Sequence, residues 1–267
     1  MRKSSPGCKQ HATGQANKMI KIKASHEIEA MRGAGKITAA TFERLAEAIV
    51  PGVTTAELDA IAAKFIKQNN ATCSFWHYNG YPAHICTSVN GQVVHGIPSK
   101  QVVLHEGDIV SIDIGVCYKG YHGDSAKTFA VGKISPEAER LIRVTQECFY
   151  EGLRQAYAGN RVQDIGAAVQ GHAEKNGYSV VRSLVGHGVG SCLHEDPEVP
   201  NFGTAGRGAR LLSGMTLAIE PMVNQGTYHV NTLADQWTVV TADGKLSAHY
   251  EHSVLIRDGE AEILTTC

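Results

Sequence analysis

The 267-residue sequence predicts an α+β fold: two helix-helix-strand halves, related by a pseudo-twofold axis, facing each other around a central antiparallel sheet. Three observations predict it. Two amphipathic helix patterns precede strand-like runs in the first half, the same order returns in the second, and the two copies align at a constant offset. The first helix has Ser25 as a candidate N-cap and Glu27 in its first turn, then Ile28, Met31, Gly35, Thr38, Phe42, Leu45 and Ile49 at steps of three and four. Pro51-Gly52 ends it. Thr54-Thr55-Ala56-Glu57 is a capping-box pattern ahead of a second apolar stripe of Leu58, Ile61, Phe65 and Ile66. Strand-like runs follow at 85–89, 109–116 and 125–131. The second half, about 133–260 against 25–132, restarts at Ser135-Pro136-Glu137, a cap with proline at the first helical position, and continues through Leu141, Val144, Cys148 and Phe149. Aligning Gly52 with Gly159 puts Glu57 over Asp164, Gly107 over Gly214, Ile112 over Ile219, Asp113 over Glu220 and Val116 over Val223, always 107 residues apart.

Composition excludes several classes of function. Lys and Arg total 25 against 26 Asp and Glu, so no single-signed field exists to hold a polyanion, and direct nucleic-acid binding is not expected. A chain that is 43% hydrophobic and 19% charged folds, and no apolar run approaches the roughly 18 residues of a membrane span. Seven cysteines, an odd number without a C-x-x-C pair, read as reduced thiols in a cytosol. Residues 1–18 contain no acid and one arginine, and read as a disordered extension or tag ahead of a single domain over 19–267. Within that extension Cys8 and His11 lack the second pair a zinc knuckle needs.

The informative residues are acids placed inside apolar strands. Asp113 interrupts Val110-Ser111-Ile112-Asp113-Ile114-Gly115-Val116, and Glu220 interrupts Leu217-Ala218-Ile219-Glu220-Pro221-Met222-Val223. Asp124 and Glu251 stand in comparable settings, and the lysines within several residues of the four acids are Lys119, Lys127 and Lys245. An ionised carboxylate out of water costs several kcal/mol unless it is paired, protonated or bound to a metal. Asp113 and Asp124 flank Tyr118-Lys119-Gly120-Tyr121, a spacing suited to facing strands of a hairpin. Gly186-His187-Gly188 adds an imidazole between residues that permit close backbone approach. Four carboxylates and one imidazole suit Mn, Fe or Co better than a lone Zn. So many acids call for two dications, which can share bridging carboxylates and activate a water or hydroxide between them; that predicts a hydrolase.

The set Asp113, Asp124, His187, Glu220 and Glu251, within Ser-Ile-Asp-Ile-Gly, His-Gly-Asp-Ser-Ala, Gly-His-Gly-Val-Gly, Ile-Glu-Pro-Met and Glu-His-Ser-Val, resembles the type I methionine aminopeptidase family. The likeness runs from about Ile22 to Leu264. It implies the pita-bread fold and two divalent ions drawn from Co, Mn, Fe or Zn. In that family Asp124 and Glu251 would bridge, Asp113 would hold one ion, and His187 and Glu220 the other. It further implies that His194 stabilises the developing oxyanion, His95 hydrogen-bonds near the scissile amide and Glu220 accepts the proton of water. The matching methionine pocket is Phe75, Tyr78, Tyr81, Cys86, Leu193 and Trp237, together with His95 and His194. Phe75 and Leu193 depart from bacterial members, where a cysteine and a phenylalanine are more usual, so a differently shaped pocket is expected. The implied substrate is the N-terminal methionine of a nascent peptide, met by a cytoplasmic, ribosome-associated monomer with no membrane partner. Two other readings share this architecture: an Xaa-Pro peptidase, whose relatives usually carry an additional N-terminal domain, and a metal-free binding module, whose relatives tend to lose ligands.

Overall fold

The computed structural model describes residues 20–266; the extension expected over 1–18, with Cys8 and His11, lies outside the described residues. Helix α1 spans Ser25–Ala46, so Ser25 opens the helix and does not cap it. The cap position is Ala24, and the Glu27 carboxylate accepts its backbone N–H at 2.7 Å, doing from inside the first turn what a serine hydroxyl was expected to do from outside. Helix α2, Thr55–Gln68, begins in the reciprocal box foreseen for Thr54: its hydroxyl accepts from Glu57 N–H at 3.2 Å, and the Glu57 carboxylate accepts Thr54 N–H at 2.8 Å. Helix α3, Pro136–Leu153, is capped by Ser135 accepting from Ala138 N–H. Helix α4 runs Val162–Lys175.

The 107-residue offset is a repeat of backbone as well as of sequence. Helices α2 and α4 have 14 residues each and start 107 apart. Asp164 accepts Arg161 N–H at 2.7 Å in the place where Glu57 accepts Thr54 N–H. Gly52 and Gly159 both take left-handed φ, +98° and +106°, and each donates its N–H to the leucine carbonyl closing its loop, Leu104 and Leu211.

The halves join in a nine-stranded antiparallel sheet, whose path runs Thr72–Cys73, Ile109–Tyr118, Tyr121–Ala130, Glu251–Leu255, Thr216–Ile219, Gly186–Gly188 and Glu195–Val199. Each half buries its own helices. Phe42, Leu45, Leu58 and Ile66 pack on Val110, Ile112, Ile114 and Val116. Leu141, Val144, Phe149 and Ile165 pack on Leu217, Ile219 and Val254. Each of these side chains is 3% exposed or less, worth roughly 1.5–3 kcal/mol apiece in apolar burial.

The sheet margin is tied to α1 by charge. Glu262 accepts two hydrogen bonds from the Arg32 guanidinium, at 2.6 and 2.9 Å, and one from Arg257, and the Arg32 fork above all pushes its carboxyl down to about 2. A depressed folded pKa adds stability that is present above the unfolded carboxylate range near pH 4 and is lost as pH falls toward 2. With the Glu262 side chain 27% exposed, Glu262→Gln is expected to cost about 1 kcal/mol at pH 7, the gap to wild type narrowing between pH 5 and 3. Urea titrations at both ends of that range read it; a gap constant with pH would contradict the assignment.

Candidate active site

Strand alternation decides which side chains leave the core. Because Val110, Ile112, Ile114 and Val116 face the helices, Asp113 must face the other way. The hairpin then carries that face across the sheet. Its two-residue turn, Lys119 at φ +50° and Gly120 at +83°, pairs Tyr118 with Tyr121, so Gly115 lies opposite Asp124 and Asp113 opposite Ala126. Ala126 pairs in turn with Glu251. His252 pairs with Ile219, which places Glu251 and Glu220 on one side, and Ala218, two residues before Glu220, pairs with His187. Register thus brings to a single face four residues from four strands and Glu220, which directly follows a fifth. Close strand approach makes the last pairing feasible: a Cβ on Gly186 would meet the Ala218 carbonyl oxygen at 2.3 Å, and one on Gly188 the Asp196 oxygen at 2.3 Å.

The His187 Nε2 lies 3.8 Å from Asp124 Oδ2 and 3.6 Å from Glu220 Oε1. One ligand atom each from Asp124, His187 and Glu251 fall within 4.8 Å of one another. The His187 Nδ1–H donates to the Gly188 carbonyl at 2.8 Å, which leaves Nε2 with its lone pair toward the acids. Burial lowers this imidazole to about 4, so it stays neutral and able to ligate. Asp124 is pushed up to about 7 by burial. Burial, and next repulsion from Asp124, holds Asp113, Glu220 and Glu251 well above the ordinary carboxylate range.

Each of four acids keeps one buried oxygen unsatisfied among the described residues. Asp113 Oδ1, Asp124 Oδ1, Glu220 Oε1 and Glu251 Oε1 are buried without a hydrogen-bond partner among the described residues. Oxygens left bare in this way, grouped around one imidazole nitrogen, are a donor set that fits a divalent cation, and the cluster could hold one.

All five open into one cavity of about 210 Å³. Its other walls are Phe75, Tyr78, Tyr81, Cys86, Leu193 and Trp237, with His95 and His194, so every residue singled out in the sequence reaches this space. Phe75, Tyr81, Cys86 and Leu193 form an apolar cluster at most 8% exposed, and Tyr78 and Trp237 pack against it. The Tyr81 hydroxyl is turned to the Ile85 and Gly96 carbonyls, 3.1 and 3.0 Å away. His95 is held with φ +59°, an arrangement that costs a non-glycine residue about 1 kcal/mol or more.

Three residues of the neighbourhood escape a reading of the sequence. Asn79, at φ +49°, lines the cavity. Ser253 clasps Asp124, its hydroxyl accepting Asp124 N–H and donating to Asp124 C=O, both at 2.9 Å. His249 is 2% exposed, has neither ring nitrogen hydrogen-bonded among the described residues, and places Nε2 3.9 Å from Glu251 Oε2. The signal available for the last two was their position two residues before and after Glu251, the period of a strand face.

Comparison with known proteins bears on this geometry. Residues 29–258 match metallopeptidase family M24. The chain is 57% identical over 249 residues to the methionine aminopeptidase of Clostridium acetobutylicum, covering 93% of this chain and 100% of that one. The crystal structure of Thermotoga maritima methionine aminopeptidase superposes with a TM-score of 0.92 at 44% identity, over 93% of this chain and 100% of its own. Prolidase from Pyrococcus furiosus, at 22% identity and a TM-score of 0.72, shares the fold, with 92% of this chain covering 65% of that one. Identity above one half across nearly the full length of both chains, on the same fold, means that this chain belongs to metallopeptidase family M24, among its methionine aminopeptidases.

Proposed function

We propose that the enzyme hydrolyses the N-terminal methionine from nascent polypeptides whose second residue is small, with two divalent ions held by Asp113, Asp124, His187, Glu220 and Glu251. The observation that carries this is the junction of the five-residue donor set with an apolar, sulfur- and aromatic-lined cavity of about 210 Å³. Asp124 and Glu251 stand on adjacent central strands, with Asp113 on the strand beyond Asp124 and Glu220 just past the end of the Thr216–Ile219 strand, so these four with His187 would hold the ions. When bound, such ions supply a polarised water and a Lewis acid for the scissile carbonyl.

The protein's own groups do the rest. The cavity takes the methionine side chain, and with the Tyr81 hydroxyl turned to backbone carbonyls the thioether meets ring edges and the Cys86 sulfur. Glu220 accepts the proton of the attacking water and delivers it to the departing amine. His194 donates a hydrogen bond to the carbonyl oxygen as it gains charge, and His95 hydrogen-bonds beside the scissile amide. The five described cysteines are free, and no described helix is long and apolar enough to cross a membrane. The free thiols suit the reducing cytosol as the workplace, where the enzyme would act as a monomer on chains at the ribosome.

The test is methionine release from Met-Ala, Met-Leu and Gly-Pro peptides, with protein stripped by chelator and reloaded separately with Mn, Fe, Co and Zn. Expected is release from Met-Ala at least about 10-fold above Met-Leu, abolished by stripping. Silence toward both methionyl peptides with every metal would reject the proposal, and preferential cleavage of Gly-Pro would move the enzyme to the Xaa-Pro peptidases.

A further inference from the structure

Tyr78 and His194 are 116 residues apart in the chain, yet the tyrosine hydroxyl lies 2.8 Å from the imidazole Nδ1. Their rings stack, with centroids 5.2 Å apart and planes at 28°, and the imidazole also meets the His187 ring at 4.1 Å. Two neighbouring rings and one hydrogen bond therefore set the plane of His194 and the direction of its nitrogens.

Both partners are delivered by segments that the fold holds firmly. Tyr78 sits between His77, at φ +64°, and Asn79, at φ +49°. Left-handed non-glycine residues on both sides of Tyr78 cost about 1–2 kcal/mol each and persist only where surroundings enforce them. Here Tyr78 N–H donates to Phe75 C=O, and Tyr81 N–H to Tyr78 C=O, both at 2.9 Å. On the other side, the Glu195 carboxylate next to His194 accepts from buried Lys23 at 2.7 Å and from Cys192 N–H at 3.1 Å, which pins the turn bearing Leu193 and His194.

A neutral imidazole has one N–H, and whichever nitrogen accepts a hydrogen bond leaves the proton on the other. We propose that Tyr78 is a positioning residue: its hydroxyl donates to His194 Nδ1, fixes the Nε2–H tautomer, and so presents an N–H donor to the substrate's carbonyl oxygen. The opposite tautomer would aim a lone pair at an oxygen that gains negative charge, repelling it at the step where stabilisation is needed. The tautomer assignment stands on the Tyr78–His194 geometry; its catalytic consequence rests on the methionine aminopeptidase reading above.

The test separates the two. In metal-free protein with nitrogen-15 in its histidines, two-bond proton–nitrogen correlation spectra report the His194 tautomer, assigned by the signal lost in His194→Gln. Expected is Nε2–H in the wild type and a mixture, or Nδ1–H, in Tyr78→Phe. In the metal-loaded enzyme Tyr78→Phe is expected to lower kcat on Met-Ala about 10- to 100-fold while KM stays within about threefold. Nδ1–H in the wild type, or an unchanged tautomer in Tyr78→Phe, would overturn the proposal. So would a loss confined to KM, since a tyrosine serving only as pocket wall produces that. A wild type with the Nε2–H tautomer that fails to cleave methionyl peptides would defeat the activity reading and leave the Tyr78–His194 assignment supported.

Discussion

Glu220→Gln is expected to lower kcat on Met-Ala by about 10²- to 10⁴-fold while leaving the fold intact. The change is nearly isosteric and removes one negative charge and the proton-accepting oxygen. Glu220 sits just past the Thr216–Ile219 strand, and its backbone C=O accepts from Asn201 at 2.9 Å, a contact the substitution does not touch. Its carboxylate is crowded by Asp124 and Asp113, so the metal-free variant should melt no lower than wild type. The checks are turnover, circular dichroism and bound-metal content on the same preparation. Turnover within tenfold of wild type would refute the role of Glu220, and metal loss would assign part of the effect to ligation.

Asp124→Asn carries the second large expectation, and its sign runs against intuition for a buried residue. Asp124 is 4% exposed on a central strand, and its charge is the leading electrostatic cause of the raised pKa values of Asp113, Glu220 and Glu251. Replacing it removes the burial cost of its own carboxylate and the charge that helps keep its three neighbours from ionising, while the Ser253 clasp on the Asp124 backbone remains. The metal-free variant should therefore be more stable than metal-free wild type, by about 1–3 kcal/mol, in the range seen when buried ionic groups are replaced by neutral ones. In exchange it loses the stabilisation that added metal gives the wild type, about 2.7 kcal/mol at a free concentration 100 times Kd. Thermal melts with and without Mn measure both. A metal-free variant that melts lower than wild type, or that still gains stability from Mn, would remove Asp124 from the site.

Both expectations descend from features legible in one dimension. Acids in β-branched runs, such as Asp113 in Val110–Val116, are visible because burial of a charge is costly wherever it occurs. The helices were legible because their apolar faces recur at the backbone's own period; Thr54, Ser135 and the 107-residue offset reappear as capped helices and matched loops. The Ser25 cap failed for a local reason: a glutamate at the third helical position can serve the backbone N–H of any preceding residue, alanine included, so residue type alone did not mark the boundary.

The sequence by itself determined which residues have no place in an apolar core, where helices start and stop, and that the chain is built twice. Only the tertiary structure decided how those residues meet. The Glu251 strand inserts between the Tyr121 and Thr216 strands, which sets one face for all five donors, brings His249 to 3.9 Å from Glu251, and leaves Tyr78 within hydrogen-bonding reach of His194. The physical reason is range. Helix faces, caps and strand alternation follow from torsions and hydrogen bonds between near neighbours, whereas pairing between strands more than a hundred residues apart depends on the packing of the whole chain, and one step of register would turn every acid to the opposite face.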